Sequence, residues 1–234
     1  MINGKRIIAI IPARGGSKGI PNKNIIDLCG KPLIAYSVEE AKKSKYIDRV
    51  IVSTDSLKIK EVSLNYGAEV PFIRSEELSS DSAKSIDVVI DCLQRLEDTY
   101  DLYDYVVLLQ PTSPLRMCED IDSAIERIVE FKSKSLVSMC EAYQNPILMR
   151  TIEKDRMFKI VDCNKSNLRR QELPKFYIFN GAIYISSVEM IYSERAFVND
   201  DTIPFIMDKE RSIDIDEPKD IVLAEYFLKR RSYI

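Results

Sequence analysis

Short apolar runs alternate with amphipathic segments along most of this 234-residue chain, and the alternation restricts the folds that it can adopt. Continuous apolar runs of this length are typical of strands buried on both faces of a parallel sheet. The predicted strands are Arg6–Ile11, Arg49–Ser53, Tyr105–Leu109, Ser135–Cys140, Gly181–Ile185, Ile203–Met207 and Ser212–Asp216. The predicted helices run from Pro32, from a cap at Thr54 and Asp55 towards Gly67, over Ser85–Asp98 and Asp120–Lys132, and from Pro218. This order predicts an α/β fold, a doubly wound and mostly parallel sheet in a single domain over residues 1–234.

Residues 141–179 interrupt the alternation. The segment is polar, and its apolar pieces, Ile147–Met149 and Met157–Val161, are too short for a long helix. We interpret it as a small excursion from the sheet, suited to subunit contact or to a substrate lid.

The chain contains no histidine. This excludes a Ser-His-Asp triad, a Cys-His nucleophile pair and an HExxH zinc site. Any catalysis must use carboxylates, lysines, arginines, hydroxyls, amides or a metal ion.

Charge and cysteine content narrow the expected partners. The net charge of -3 provides no overall basic field, so no nucleic-acid partner is predicted. No segment approaches the roughly 18 apolar residues of a membrane span, and Ile7–Ile11 is too short for a signal peptide, so we expect no membrane partner and a cytoplasmic location. The cysteines form no CxxC pair and are expected to be reduced and mostly buried; they are Cys29, Cys92, Cys118, Cys140 and Cys163.

A glycine-rich loop follows the first predicted strand. Its glycines and cations are Gly15, Gly16, Gly19, Arg14, Lys18 and Lys23. Glycines let backbone amides approach a ligand closely, and ligands of open α/β sheets bind beyond the carboxyl ends of the strands. Neither GxxxxGK[ST] nor GxGxxG is present. The loop is therefore interpreted as a triphosphate site of another type, in preference to a solvated surface turn.

Asp214 and Asp216 lie two residues apart in Ser-Ile-Asp-Ile-Asp. In an extended chain, residues at this spacing share one face, while Ile213 and Ile215 face the other way. Two carboxylates on one face suit Mg²⁺, which leaves further positions to phosphates and waters. A half-buried edge strand with a solvated acidic face is equally compatible with this pattern.

Seven ordered blocks resemble the N-acylneuraminate cytidylyltransferases, the CMP-sialic acid synthetases. The blocks are Ala13–Asn24, Val52–Asp55, Arg74 with Ser80–Asp81, Gln110–Arg116, Arg170–Pro174, Asn180–Tyr184 and Ser212–Asp216. Together they cover nearly the whole chain.

The resemblance implies an Mg²⁺-dependent enzyme that transfers CMP from CTP to the anomeric hydroxyl of a nonulosonic acid and releases pyrophosphate. N-acetylneuraminic acid or a relative such as legionaminic acid would be the acceptor. It also implies a nucleotide-diphospho-sugar transferase-like fold, and a homodimer formed through the excursion at residues 141–179.

The resemblance also assigns roles to individual residues. Those matched to nucleotide binding are Ala13, Arg14, Gly15, Ser17, Lys18, Lys23, Asn24, Arg74 and Ser85. Those matched to sugar binding are Gln110, Arg170, Asn180 and Tyr184. The implied metal ligands are Asp214 and Asp216, and the implied catalytic residues are these two aspartates with Arg14 and Lys18. The general base stays open between a metal-bound hydroxide and one of the aspartates.

Two of these positions have alternative interpretations. An isolated arginine such as Arg170 is usually a surface charge, and Tyr184 is equally understood as a core aromatic residue. Ile178 stands where several relatives have an arginine, two residues before the Asn-Gly-Ala block. If that arginine helps to recognise the sugar, a less polar or bis-acylated acceptor such as legionaminic acid becomes an alternative to N-acetylneuraminic acid.

Other functions compete with this interpretation. A cytidylyltransferase for the eight-carbon acid Kdo would share the fold and the CTP chemistry, but the Arg170–Pro174 and Asn180–Tyr184 blocks match it less well. A dinucleotide-dependent oxidoreductase is disfavoured because the chain has no GxGxxG motif. A non-catalytic nucleotide-binding protein of the same fold is disfavoured because Arg14, Lys18 and both aspartates are present together.

Overall fold

The structure, a computed structural model, describes residues 1–17, 19–162 and 169–231. Its strands are β1 (Ile7–Pro12), β2 (Asp27–Leu28), β3 (Lys31–Pro32), β4 (Arg49–Ser53), β5 (Tyr105–Leu108), β6 (Ser135–Glu141), β7 (Arg150–Glu153), β8 (Arg156–Lys159), β9 (Tyr177–Ser187) and β10 (Ile203–Ile206). Its α-helices are α1 (Leu33–Lys43), α2 (Leu57–Asn65), α3 (Ser85–Glu97), α4 (Cys118–Glu130), α5 (Val188–Glu194) and α6 (Pro218–Arg231).

Six strands form the central sheet in the order β10–β6–β9–β5–β1–β4. β1 pairs in parallel with β4 and β5, and β6 pairs in parallel with β10. β9 runs antiparallel between β5 and β6. The predicted α/β fold with a mostly parallel sheet is confirmed. The direction of β9 could not be predicted, because an apolar run buried on both faces carries no sign of the direction of its neighbours.

Strand β1 shows how helices cover both faces of this sheet. Ile7, Ala9 and Ile11 pack into the cluster that includes α1, α2 and α4. Ile8 and Ile10 pack into the opposite cluster, with α3 and α5. Successive strand side chains point to opposite faces, so two covered faces require an uninterrupted apolar run.

The predicted strand Ser212–Asp216 is wrong. The segment is extended but crosses the end of the sheet, where the Ile215 amide donates to the Thr112 carbonyl oxygen at 2.8 Å. Within the described part of the chain, no strand pairs with this segment to form a ladder. The predicted alternation nevertheless holds, because Ile213 and Ile215 are buried in a third apolar cluster that includes Ala224 of α6.

The predicted cap of α2 is also wrong. Thr54 and Asp55 were the expected capping residues, but the Ser56 hydroxyl accepts the Ile59 amide, at 3.4 Å. Asp55 is engaged elsewhere, in the candidate site. The helix stops shortly before Gly67 as predicted, and Gly67 has a φ of +86°, a conformation that favours glycine.

The excursion at residues 141–179 contains the antiparallel hairpin β7–β8 and the short 3₁₀ helices Pro146–Leu148 and Arg170–Glu172. Its exposed apolar side chains are Tyr143, Leu148, Met149, Ile152, Met157, Phe158, Ile160, Tyr177, Ile178 and Phe179. Exposed apolar side chains in such number are typical of a segment that contacts another molecule.

Four of the five cysteines lie in the described residues, and all four are free thiols. Cys92 and Cys140 are buried as expected, whereas Cys118 is half-buried and Cys29 is exposed. Cys163 lies outside the described residues. No helix across residues 1–17, 19–162 and 169–231 is both long and apolar enough to cross a membrane.

Candidate active site

A cavity of about 550 Å³ opens where β1, β4 and β5 end. Its lining residues are Pro12, Arg14, Ser17, Gly19, Lys23, Asn24, Arg74, Leu78, Ser80, Asp81, Ala83, Ser85, Val88, Gln110, Pro111, Thr112, Asp214 and Asp216. Nine predicted site residues are therefore brought to one cavity: Arg14, Ser17, Lys23, Asn24, Arg74, Ser85, Gln110, Asp214 and Asp216. This is the carboxyl edge of the parallel strands, where open α/β sheets bind ligands.

The remaining predicted site residues lie elsewhere or outside the description. Ala13, Gly15, Asn180 and Tyr184 do not line the cavity. Lys18 lies outside the described residues. Arg170 begins a short 3₁₀ helix in the excursion, and its side chain is not described.

The start of the glycine-rich loop is held by the neighbouring strand and its following turn. The Ala13 amide donates to the Ser53 carbonyl oxygen at 2.9 Å, and the Gly15 amide donates to Asp55 Oδ1 at 2.9 Å. These two N–H groups are thus used inside the protein, contrary to the expectation that the amides here face a ligand. Asn24 Nδ2 donates to the Arg14 carbonyl oxygen at 3.0 Å and holds the other side of the loop.

Arg14 reaches across the cavity mouth. Its Nη1 lies 2.8 Å from Asp81 Oδ1 and donates to the Ser80 carbonyl oxygen at 3.2 Å. Both partners belong to the loop that precedes α3. Arg14 therefore links the glycine-rich loop to the loop before α3.

Arg74 is the buried cation of the cavity wall. Its side chain is only 3% exposed, and Nη2 lies 3.6 Å from Asp55 Oδ1 without a hydrogen bond. Burial lowers the pKa of Arg74, and the nearby Asp55 carboxylate partly opposes this effect. Nε donates to Ser79 Oγ at 3.1 Å. An unsatisfied guanidinium N–H beside a cavity is a ready donor for a polar ligand.

The glycine-rich loop and the two aspartates are in direct contact. Lys23 Nζ donates to the Ile215 carbonyl oxygen at 2.9 Å and to Asp216 Oδ1 at 3.0 Å. A Cβ atom at Gly19 would lie 2.9 Å from the Asp216 carbonyl oxygen, so only glycine allows this approach. Lys23 and Asp216 are 193 residues apart in the sequence. The glycine-rich loop and the aspartate pair thus form one site.

The two aspartates have different surroundings. Asp214 Oδ1 is buried and has no hydrogen-bond partner, while Asp216 is exposed beside Lys23. Burial raises the pKa of Asp214, and the nearby Asp216 carboxylate raises it further. No group of three or more His, Cys, Asp or Glu side chains able to hold a metal occurs among the described residues. A pair of carboxylates with one unsatisfied buried oxygen does fit Mg²⁺, whose other ligands are commonly phosphates and waters.

Gln110 and Gly181 define the opposite end of the cavity. Gly181 has a φ of +72°, and a Cβ atom there would lie 3.1 Å from Gln110 Oε1 and 3.3 Å from Asp214 Oδ2. Gly181 is a site-forming residue that the residue assignments missed, although the Asn180–Tyr184 block contained it. Asp55, Asp81 and Thr112 were missed in the same way, inside blocks that the sequence had marked.

Asn180 and Tyr184 support the site from within the fold. Asn180, 4% exposed, accepts from Ser138 Oγ at 2.6 Å and donates to Ser212 Oγ at 2.9 Å. It therefore joins β6, β9 and the segment that carries the aspartates. The Tyr184 ring packs against Phe197 with centroids 5.9 Å apart. Burial raises the pKa of Tyr184, and Asp214 adds to this effect.

Fold and cavity together define an α/β protein in which a cationic loop and a pair of carboxylates line one cavity at the carboxyl ends of the strands. The sequence profile of the family described as "Cytidylyltransferase" matches residues 8–229. The chain belongs to this family of nucleotidyltransferases.

Two curated relatives align with almost all of the chain. The chain is 38% identical, over 96% of its length and 97% of the relative's, to the CMP-N,N'-diacetyllegionaminic acid synthase of Legionella pneumophila. It is 39% identical, over 92% of its own length and 51% of the relative's, to the N-acylneuraminate cytidylyltransferase of Streptococcus agalactiae serotype III. A solved CMP:2-keto-3-deoxy-manno-octonic acid synthetase superposes with a TM-score of 0.73 at 15% identity, covering 97% of this chain and 99% of that one. The last likeness concerns the fold alone.

Proposed function

We propose that this enzyme transfers CMP from CTP to the anomeric hydroxyl of a nonulosonic acid and releases pyrophosphate. The observation that carries the proposal is the contact of Lys23 with Asp216, which joins the phosphate-type loop to the carboxylate pair in one cavity. The relatives named for CMP-nonulosonate synthesis, 38–39% identical to this chain, support the same reaction.

Arg14 and Lys23 would bind the triphosphate. Each now contacts a carboxylate, Asp81 or Asp216, that a phosphate oxygen can replace or accompany. Lys18 belongs to the same loop in sequence and would add a third cation. Charge developing on the departing pyrophosphate would be stabilised by these fixed cations without reorganisation at the moment of reaction.

The nucleoside would lie towards Arg74 and the start of α3. Asn24, Arg74 and Ser85 all line that wall of the cavity. Nη2 of Arg74 is a buried donor without a hydrogen bond, 3.6 Å from its ion-pair partner Asp55, and Ser85 is the first residue of α3. A buried donor without a hydrogen bond favours a ligand that accepts one from it.

Asp214 and Asp216 would hold Mg²⁺ beside the phosphates. When bound, the ion would polarise the α-phosphate and neutralise charge on the pyrophosphate. The unsatisfied Oδ1 of Asp214 supports this assignment. The ion pair of Lys23 with Asp216 would limit the repulsion between the two carboxylates and the triphosphate.

The sugar acid would enter at the Gln110 end of the cavity. There its anomeric hydroxyl group gives its proton to the general base, its oxygen forms a bond to the α-phosphorus, and the bond from that phosphorus to the bridging oxygen of pyrophosphate breaks. The Gln110 side chain borders this end, with its Oε1 beside Gly181 in the bulge of β9. The amide side chain of Gln110 can both accept from and donate to sugar hydroxyl groups.

The acceptor is proposed as a nonulosonic acid, with legionaminic acid and N-acetylneuraminic acid as the two to compare. Ile178 is 54% exposed on β9, where an arginine stands in several relatives. An exposed apolar side chain there supports a less polar acceptor. Steady-state rates with both sugars decide the question, and a large preference for N-acetylneuraminate would remove the legionaminate hypothesis.

We also propose that a homodimer forms through the excursion. The hairpin β7–β8 exposes Ile152, Met157 and Phe158, and exposed apolar surface of this kind favours association. Light scattering on the wild type and on Phe158→Glu tests this. A dimer that dissociates in the variant supports the proposal, and a wild-type monomer contradicts it. The expected cytoplasmic location and the lack of nucleic-acid and membrane partners stay predictions.

One assay tests the reaction. The enzyme is incubated with CTP, Mg²⁺ and, in separate reactions, legionaminic acid, N-acetylneuraminic acid and Kdo, and pyrophosphate is measured. Release with a nonulosonic acid supports the proposal. Release with Kdo alone, or with none of the acids, contradicts it.

A further inference from the structure

Arg116 ends the Gln110–Arg116 block and is the largest fully buried polar side chain, being 1% exposed. Its guanidinium group donates to carbonyl and hydroxyl oxygens, and Asp120 and Glu40 act on it only through space. Burial lowers the pKa of Arg116 to about 10, so the group is still charged at neutral pH. Its Nε is buried without a hydrogen-bond partner. A buried charge with an unsatisfied donor lowers the stability of the folded state. The presence of Arg116 at this position therefore suggests a role other than stabilisation.

The guanidinium group connects three elements. Nη1 donates to the Ala182 carbonyl oxygen at 2.7 Å and lies 3.4 Å from the Gln110 carbonyl oxygen. Nη2 donates to Ser37 Oγ at 2.6 Å, and that hydroxyl lies 3.3 Å from the same Gln110 carbonyl oxygen. Arg116 therefore joins α1, β9 and the loop that follows β5.

Two of these bonds hold residues next to the cavity. The Gln110 carbonyl belongs to the residue whose side chain borders the cavity, and Ala182 directly follows Gly181, which faces Gln110 Oε1. The same loop carries Thr112, whose carbonyl oxygen accepts the Ile215 amide between the two aspartates. Arg116 thus contacts both Gln110 and the residue after Gly181, while the Ser37 hydroxyl and the Ser113 amide also donate to the Gln110 carbonyl oxygen.

We propose that Arg116 is a positioning residue that fixes Gln110 against Gly181, which lies at the bulge of β9, so that the sugar acid is bound in register with the nucleotide. This rests on the proposed function. The planar fork of arginine can donate to two segments at once, whereas lysine is a point donor on a flexible stem. Arg116→Lys therefore keeps the charge and removes the geometry.

The experiment compares Arg116→Lys and Arg116→Met with Arg127→Lys. Arg127 also donates to a backbone carbonyl oxygen, that of Pro204, but on the β10 edge of the sheet. Kinetics with the sugar acid at saturating CTP, and the Kd for CTP, are measured for each. We expect Arg116→Lys to lower kcat/KM for the sugar acid by roughly tenfold to a hundredfold, because small misplacements of binding groups have effects of this size. The Kd for CTP should change by less than about threefold, because none of the hydrogen-bond partners of Arg116 is assigned to nucleotide binding. Arg127→Lys should match the wild type in both.

A double variant separates positioning from a general loss of structure. If Arg116 acts through Gln110, then adding Arg116→Lys to Gln110→Ala should lower kcat/KM little further. Multiplicative effects of the two changes would overturn the proposal. A lower melting temperature of Arg116→Lys, with kcat/KM for the sugar acid unchanged, would overturn it as well.

Hydrogen exchange gives a readout that does not depend on activity. Amides in residues 109–116 and 180–185 should exchange faster in Arg116→Lys than in the wild type, and no faster in Arg127→Lys. If the wild type uses no nonulosonic acid, the proposed function fails while faster exchange still supports the bracing of Gln110. If the wild type is active and these amides exchange at wild-type rates in Arg116→Lys, the positioning role fails and the function stands.

Discussion

The amino ends and the carboxyl ends of the parallel strands, here called the amino edge and the carboxyl edge, differ in how their charged side chains are paired. At the amino edge, Asp104 pairs with Lys5 at 2.8 Å, while Asp101 pairs with Arg6 at 2.8 Å and also with Arg49. The charged side chains at this edge thus pair with one another and need no ligand. At the carboxyl edge, the cavity keeps two buried atoms without hydrogen-bond partners, Arg74 Nη2 and Asp214 Oδ1.

This difference separates the part of the molecule that stabilises the fold from the part arranged for a ligand. Mutually bonded charges lower the free energy of the folded state, whereas unsatisfied buried groups raise it until a ligand binds. Substitutions at the amino edge should therefore affect stability and spare turnover. Substitutions at the carboxyl edge should do the reverse.

The largest effect is expected for Asp216→Ala. Loss of one implied metal ligand should lower kcat by about a thousandfold or more, because a bound ion contributes several kcal/mol to the transition state. The fold should stay intact, since the Asp216 side chain is 73% exposed. Glu217→Ala, at the next residue and ion-paired with Lys219, is the control and should retain activity. Wild-type kcat in Asp216→Ala would contradict the metal assignment.

A smaller loss of activity is expected for Gly181→Ala. The new methyl group would crowd Gln110 Oε1 and Asp214 Oδ2, and the positive φ adds backbone strain. We expect kcat/KM to fall by roughly tenfold to a hundredfold and the free energy of unfolding by about 1 kcal/mol.

Gly67→Ala provides the matched control for Gly181→Ala. Gly67 has a φ of +86°, and a Cβ atom there would lie 3.9 Å from Lys42 Cε, so strain is present without crowding of the cavity. Chemical denaturation and steady-state kinetics should show a similar stability loss with normal turnover. Equal losses of activity in both variants would mean that strain alone explains the effect.

Asp101→Asn should show the opposite pattern at the amino edge. It weakens charged hydrogen bonds with Arg6, Arg49 and Tyr103, and we expect the free energy of unfolding to fall by about 2 kcal/mol with kcat within about twofold of wild type. The exposed pair of Asp87 and Arg195 is the comparison, where Asp87→Asn should change stability by less than about 0.5 kcal/mol.

The effect of Asp101→Asn should also depend on pH. Burial raises the pKa of Asp101, but hydrogen bonds from Tyr103, Arg6 and Arg49 outweigh it and lower the pKa below its ordinary value of 3.8. The stabilisation is therefore present above pH 3.8 and lost as the pH falls through the lower folded-state pKa. Urea unfolding across this range should show the difference from wild type shrinking. A difference that grows on acidification would contradict the sign.

A change in stability of the opposite sign is expected for Asp214→Asn. Removing a buried charge that has an unpaired oxygen should raise the free energy of unfolding by about 1 kcal/mol, when measured without divalent cations, while turnover is lost. Asp208→Asn, at a 79% exposed side chain, should leave both unchanged. A less stable Asp214→Asn would show that the carboxylate is a structural group.

The sequence predicted the features that depend on local pattern. The run at Ile7–Ile11 predicted a strand covered on both faces, and the spacing of Asp214 and Asp216 placed both carboxylates on one side of the chain. The position of the glycine-rich loop after the first strand correctly predicted that Lys23 and Arg14 lie at the carboxyl edge, because loops that follow parallel strands share that edge.

Features that depend on distant neighbours were not predictable from such patterns. Ser212–Asp216 alternates as a strand does, but strand formation needs a partner strand, which the pattern cannot supply. Asp55 was expected to cap α2, yet it accepts the Gly15 amide because the glycine-rich loop folds onto it. Asn180 was assigned to the sugar, while its side chain joins Ser138 and Ser212 behind the cavity.

The most direct test of the account is calorimetric titration of CTP with and without Mg²⁺, on the wild type and on Asp216→Ala. If the cationic loop and the carboxylate pair grip one metal-bound triphosphate, Mg²⁺ should strengthen CTP binding to the wild type, and most of that gain should vanish in the variant. An equal gain from Mg²⁺ in both proteins would contradict the account.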